Sequence, residues 1–207
     1  MTIEPAVTLQ INEGLPDGNT TSDDSIEERL SVDRLNEEFG EEGQTQVLIR
    51  FDGLTSRLSA DTEIVSARIE FFTKSLSPGP VSIGALDAPF TDATTWNSLG
   101  GGLSITPESQ RSNLSEETLV SFDVTASVRA ILAGAPNNGW GLVNADEDGW
   151  DFCSELARCD GEVASAADQP RLVVTLAARP VPVDGSFGLI ALIAALLLVG
   201  TAVLRQR

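Results

Sequence analysis

Histidine is absent from this 207-residue chain, and so is tyrosine. The first absence removes imidazole acid–base catalysis, histidine-based triads and His-ligated zinc. The second leaves three tryptophans, few of the aromatic faces on which sugars stack. Positive charge is also scarce. Thirteen basic residues face 31 acidic ones, for a net charge of −18. Without Lys and Arg clusters the chain has nothing to neutralise phosphates, so no nucleic-acid partner is expected. No glycine-rich loop precedes a helix in a way that would cradle a phosphate. Cysteine is limited to Cys153 and Cys159, with five residues between them. That is too few for a zinc site. In an exported domain the pair reads as a local disulfide, and in the cytosol as two free thiols.

Long apolar runs are missing too, with one exception. Residues 185–204 carry no charge, and Arg205, Gln206 and Arg207 follow. Twenty helical residues rise about 30 Å, the thickness of a bilayer's hydrocarbon core. The run shows no polar face over five turns, as a buried soluble helix would. It therefore predicts a single transmembrane helix at 185–204, with a short basic tail at 205–207. Residues 1–184 hold all 31 acidic residues and 11 of the 13 basic ones, a net of −20. The two terminal arginines favour a cytoplasmic C-terminus and an extracytoplasmic body. MTIEPAVTLQ has neither a basic n-region nor an apolar h-region. Two arrangements stay open: export by a leader outside this sequence, or a tail anchor with the body in the cytosol.

Ahead of the span, the chain reads as short strands between polar, Gly- and Pro-rich connections. Apolar and polar residues alternate at 7–11, 46–51, 63–72, 81–86 and 119–124. Within 63–72 the alternation turns Val65, Ala67, Ile69 and Phe71 inward, and Arg68 and Glu70 outward. Further strands are expected near 29–32 and at 139–143, 150–153 and 171–175. The rest of 12–44 is a long acidic loop. One short helix follows Thr125, whose hydroxyl is placed to cap it. Val128, Ile131 and Leu132 then fall at i, i+3 and i+4, and Gly134 ends it. Residues 178–184, with Pro180 and Pro182, form a stiff linker. Some eight to ten strands, one helix and no alternating helix–strand rhythm predict an all-β sandwich over 1–177.

Three candidate sites emerge. Trp140 and Trp150 sit late in the strand series and can form a platform for a sugar; core packing is the alternative. Asn144, Asp146, Asp148 and Asp151 make an oxygen-rich turn in NADEDGWD, a calcium candidate set against plain solvation. Asp17, Asn19, Asp23 and Asp24 form a second such turn. No other cofactor is called for. Paired carboxylates that could cleave a glycosidic bond are plentiful in any acidic chain, so catalysis is the weakest reading.

The order of several motifs carries a resemblance. Leu48-Ile49-Arg50-Phe51-Asp52 precedes Val65-Ser66-Ala67-Arg68-Ile69-Glu70-Phe71. Thr94-Thr95-Trp96-Asn97, Phe122-Asp123-Val124-Thr125 and Asn137-Asn138-Gly139-Trp140-Gly141-Leu142 follow. Asp148-Gly149-Trp150-Asp151-Phe152-Cys153 and Gln169-Pro170-Arg171-Leu172-Val173-Val174 close the series. Over about 5–177 the chain resembles the DNRLRE-domain family, which overlaps carbohydrate-binding modules related to disaggregatase. The resemblance implies a jelly-roll-like β-sandwich on an exported protein, with a polysaccharide as ligand in some members. The tail is similar to tripartite C-terminal sorting segments of the PEP-CTERM/exosortase type: a Pro-containing motif at 179–185, an apolar helix and a basic tip. That likeness implies a sorting protease as partner and a body left at the cell surface. The expected function is a non-catalytic, membrane-anchored surface module for adhesion or polysaccharide binding. A purely structural surface domain and a carboxylate-based polysaccharide-degrading enzyme are the alternatives.

Overall fold

A computed structural model of the chain describes residues 1–21, 29–34, 43–59, 61–145, 149–154, 158–159, 162–163 and 167–177. Along the chain these residues form β1 (Thr2–Ile3), β2 (Val7–Asn12), β3 (Asn19–Thr21), β4 (Arg29–Val32), β5 (Thr45–Arg50), α1 (Leu54–Arg57), β6 (Ile64–Phe72) and β7 (Val81–Ala85). Then come β8 (Ser109–Arg111), β9 (Leu119–Asp123), α2 (Thr125–Leu132), β10 (Trp140–Asn144), β11 (Trp150–Cys153), β12 (Arg158–Cys159), β13 (Glu162–Val163) and β14 (Arg171–Leu176). Met1–Ala177 form one unit. Among the described residues no helix is long and apolar enough to cross a membrane. The span expected at 185–204, the linker at 178–184 and the tail at 205–207 lie outside those residues.

Two antiparallel sheets make the body. One has four strands in the order β1-β14-β6-β9, the other six in the order β3-β2-β5-β10-β7-β8. Alternation along each strand sends one set of side chains between the sheets. Ile3, Ala67, Ile69, Phe71, Phe122, Leu172 and Val174 enter from the four-stranded sheet. Val47, Ile49, Val81, Ile83, Trp140 and Leu142 enter from the six-stranded one. The small β4–β11 pair adds Leu30, Val32, Trp150 and Phe152 to the same core. The fold is a β-sandwich, as the strand pattern predicts.

The six-stranded sheet also has an apolar outer face. In β2, Leu9 and Ile11 point away from the main core, while Thr8 and Gln10 lie opposite Ile49 and Val47. Leu9, Ile11 and Leu48 pack with Phe90 and Trp96 into a second cluster. The covering residues come from the segment joining β7 to β8. Two glycines let it lie close. Gly84 and Gly141 are cross-strand partners. A Cβ on Gly84 would stand 2.3 Å from the Thr106 carbonyl oxygen, and one on Gly141 2.9 Å from Leu103 Cδ1. The sequence shows this segment as a loop; the structure makes it a third layer.

Three local expectations are corrected. First, α1 at Leu54–Arg57 is a second helix, where the pattern predicts only the one after Thr125. Val65 is 55% exposed, not inward. The β6–β14 register shifts there: Thr175 pairs with Ser66 but Leu176 with Ile64. Val65 is therefore the extra residue of a bulge, and Ile64 fills the core instead. Nor does the Thr125 hydroxyl cap α2. It accepts from Ala67 N at 2.8 Å, tying the helix start to β6. Asp123 Oδ1 instead accepts from Thr125 N at 2.9 Å. Gly134, with φ 107°, stands just past the helix end as predicted.

Candidate functional site

One face of the six-stranded sheet is covered by its own chain, whereas on the outer face of the four-stranded sheet the side chains of Arg68 and Arg171 stay 43% and 20% exposed. The outward residues of that face follow from register. Thr2 lies beside Val173, Val173 beside Arg68, and Arg171 beside Glu70. Arg68 and Glu70 sit two apart on β6 and so share a face. Glu70 Oε1 accepts from Arg68 Nε at 2.6 Å, and Oε2 accepts from Arg171 Nε at 2.8 Å. Arg171 Nη1 donates to the Ala167 carbonyl at 3.0 Å. The terminal nitrogens of Arg68 and Nη2 of Arg171 make no hydrogen bond among the described residues.

Glu70 points outward yet its side chain is only 6% exposed, because the two guanidinium groups cover it. Burial pushes its pKa up. Hydrogen bonds from Arg68 and Arg171, and their charges, outweigh that and hold it below the usual carboxylate range. The group is ionised at neutral pH and has no proton to give to a leaving group. Around this triad lies a depression of about 440 Å³, bordered by Thr2, Glu4, Arg68 and Arg171, with Pro170 and Val173 as apolar wall. Two cations against one carboxylate leave outward N–H donors suited to carboxylate or hydroxyl oxygens.

The aromatic platform expected on Trp140 and Trp150 does not form. Both rings are fully buried. Trp140 packs edge-on to Phe51, and its Nε1 donates to Ser127 Oγ at 2.8 Å. Trp150 packs among Phe71, Phe122 and Phe152. Alternation puts both indoles into the core, while Gly141 faces the covering segment and Asp151 is half-buried on the other side of β11. Trp96, 7% exposed, covers the six-stranded sheet.

Of the calcium candidates, Asp146 and Asp148 lie outside the described residues. Asn144 is buried, and its amide nitrogen donates to the Val32 carbonyl and to Ser77 Oγ, each at 3.3 Å. Asp151 lies on β11 opposite Ser31. In the other acidic turn, Asp17 Oδ1 accepts from Asn97, and Asn19 donates to the Asp92 and Thr94 carbonyls. Asp23 and Asp24 lie outside the described residues. Among the described residues no group of three or more His, Cys, Asp or Glu side chains is arranged to hold a metal. Cys153 and Cys159 are joined as a disulfide, with Cα atoms 5.4 Å apart.

Sequence reasoning places Arg68 and Glu70 outward but does not find their partner. Arg171 is 101 residues from Glu70. Its only local signal is its position at the start of a strand. No protein-family model and no curated protein sequence matches this chain. The fold and the site together describe an all-β sandwich module with an arginine-lined surface depression.

Proposed function

We propose that this chain is a non-catalytic surface module that binds polysaccharide through the depression around Arg68, Glu70 and Arg171. Residues 185–204 hold it in a membrane, with the body outside the cytoplasm and the C-terminus inside. In this reading the body is a jelly-roll-like sandwich of the DNRLRE-domain type, and the tail is the substrate of a sorting protease. The observation that carries the binding role is the pair of guanidinium groups with N–H donors that no described residue uses. They stand on the outer face of the four-stranded sheet, bordering the depression. Ionised Glu70 supports binding over acid catalysis there.

A glycan array tests it, with residues 1–184 applied with and without calcium. Binding to a subset of acidic or neutral glycans is expected, falling at least tenfold in Arg171→Ala and Arg68→Ala variants that keep the wild-type melting temperature to within a few degrees. A second reading rests on the same residues: the Arg171–Glu70 pair cross-links β14 to β6, a structural role. An array with no bound glycan would favour that surface domain without a small ligand. Protease added to intact cells checks the topology, and a body that survives shaving removes the anchored, exported arrangement.

A further inference from the structure

Two stretches of the chain have the Asn-x-Ser/Thr pattern, with x other than proline: Asn19-Thr20-Thr21 and Asn113-Leu114-Ser115. In an exported protein that pattern is the acceptor signal for an N-linked glycan. The fold treats the two asparagines differently. Asn19 lies in β3, half-buried. Its Nδ2 donates to the Asp92 carbonyl at 2.6 Å and to the Thr94 carbonyl at 2.7 Å. Both amide hydrogens are used, and they tie the edge of the six-stranded sheet to its covering segment. A sugar on that nitrogen leaves it one hydrogen, so at least one of those bonds would be lost, whether it was added before or after folding.

Asn113 is exposed, in the turn between β8 and β9. Its carboxamide makes no hydrogen bond among the described residues. Its φ of 55° lies in the left-handed region, which asparagine tolerates better than other side chains. The backbone around it is fixed. Leu114 is buried and exchanges hydrogen bonds with Ser77, 2.8 Å from Leu114 N and 3.1 Å from Ser77 N. Ser115, which supplies the required hydroxyl, is exposed. A sugar at Asn113 displaces no hydrogen bond among the described residues. The strand directions put it at the end of the sandwich opposite Leu176, since Leu176 pairs with Ile64 at one end of β6 and Leu119 with Phe72 at the other.

We propose that Asn113 is an N-glycan acceptor and that Asn19 is not, an inference that rests on the exported reading above. The donor is a glycan carried on a lipid phosphate or diphosphate. Asn113 Nδ2 forms a bond to the anomeric carbon, the carbon–oxygen bond to the phosphate breaks, the lipid phosphate leaves with the electron pair, and the amide gives up one proton.

The full-length chain, purified from the membranes of the cells that make it, decides the matter. Trypsin releases Asn19 in the peptide that ends at Arg29 and Asn113 in the peptide 112–129. The second is expected to carry a glycan mass and the first to run at its bare mass. Asn113→Gln and Ser115→Ala abolish the added mass, while Ser115→Thr and Asn19→Gln preserve it. Bare Asn113, or sugar on Asn19, overturns the proposal. Protease shaving of intact cells separates the causes. An accessible body with bare Asn113 sinks this inference alone, whereas a shielded body sinks the exported reading and this inference with it.

Discussion

Glu70 is the residue on which the outer face of the four-stranded sheet turns. Its folded-state pKa is depressed, so its contribution to stability is present above the ordinary carboxylate range and is lost as pH falls through the lowered value. Glu70→Gln should cost about 1–2 kcal/mol at pH 7, the loss of charge-assisted bonds at a mostly buried carboxylate. Urea melts of both proteins should converge as pH drops below about 4, where the unfolded carboxylate protonates. A gap that stays constant down to pH 3 would show that the ion pairs do not contribute. Asp123 acts in the same direction, held low by hydrogen bonds from Thr125. Trp140 belongs to the interior: Trp140→Ala should cost about 3–5 kcal/mol in the same melts, by lost burial and a residual cavity. A loss below 1 kcal/mol would mean the indole is not core.

At the scale of elements, the covering segment and the disulfide are the parts to test. Gly84 and Gly141 are needed for what lies on them. Gly84→Ala sets a methyl against backbone, which cannot swing aside, and should destabilise the sandwich by about 1–3 kcal/mol, read by thermal melts. Gly18→Ala is the control for lost backbone freedom, since its φ, like that of Gly84, lies outside the left-handed region and its added Cβ meets nothing closer than 3.6 Å. If the two variants melt alike, close packing on the sheet is not the cause. The Cys153–Cys159 bridge closes a short loop between β11 and β12. Reducing it should lower stability by about 2 kcal/mol, through the chain entropy the unfolded state regains, leaving the sheets intact by circular dichroism. Global unfolding on reduction would show that the bridge holds more than its loop.

Taken whole, the molecule folds against a large excess of negative charge. Residues 1–184 carry a net −20 and repel themselves over distances that salt shortens. The Debye length falls from about 30 Å at 0.01 M salt to about 8 Å at 0.15 M. The isolated body should melt a few degrees higher at the greater salt concentration. A melting temperature that falls instead would mean that attractive pairs such as Glu70 with its two arginines outweigh the repulsion.

Alternation in the sequence was enough to indicate a sandwich of short strands, and short spacings gave the helix ending at Gly134 and a cysteine pair within reach of bonding, but not α1 at Leu54–Arg57. These depend on contacts between residues near in sequence, because successive side chains of a strand point to opposite faces. Which strands lie side by side has no such local signature. Only the tertiary structure decided that Leu9 and Ile11 face a covering segment, that a bulge exposes Val65, and that the indoles of Trp140 and Trp150 are buried. Register between strands a hundred residues apart likewise brought Arg171 to Glu70. A one-residue slip in that pairing would have turned Arg171 into the core, and burial of an unpaired guanidinium is a cost that only the assembled sheet imposes.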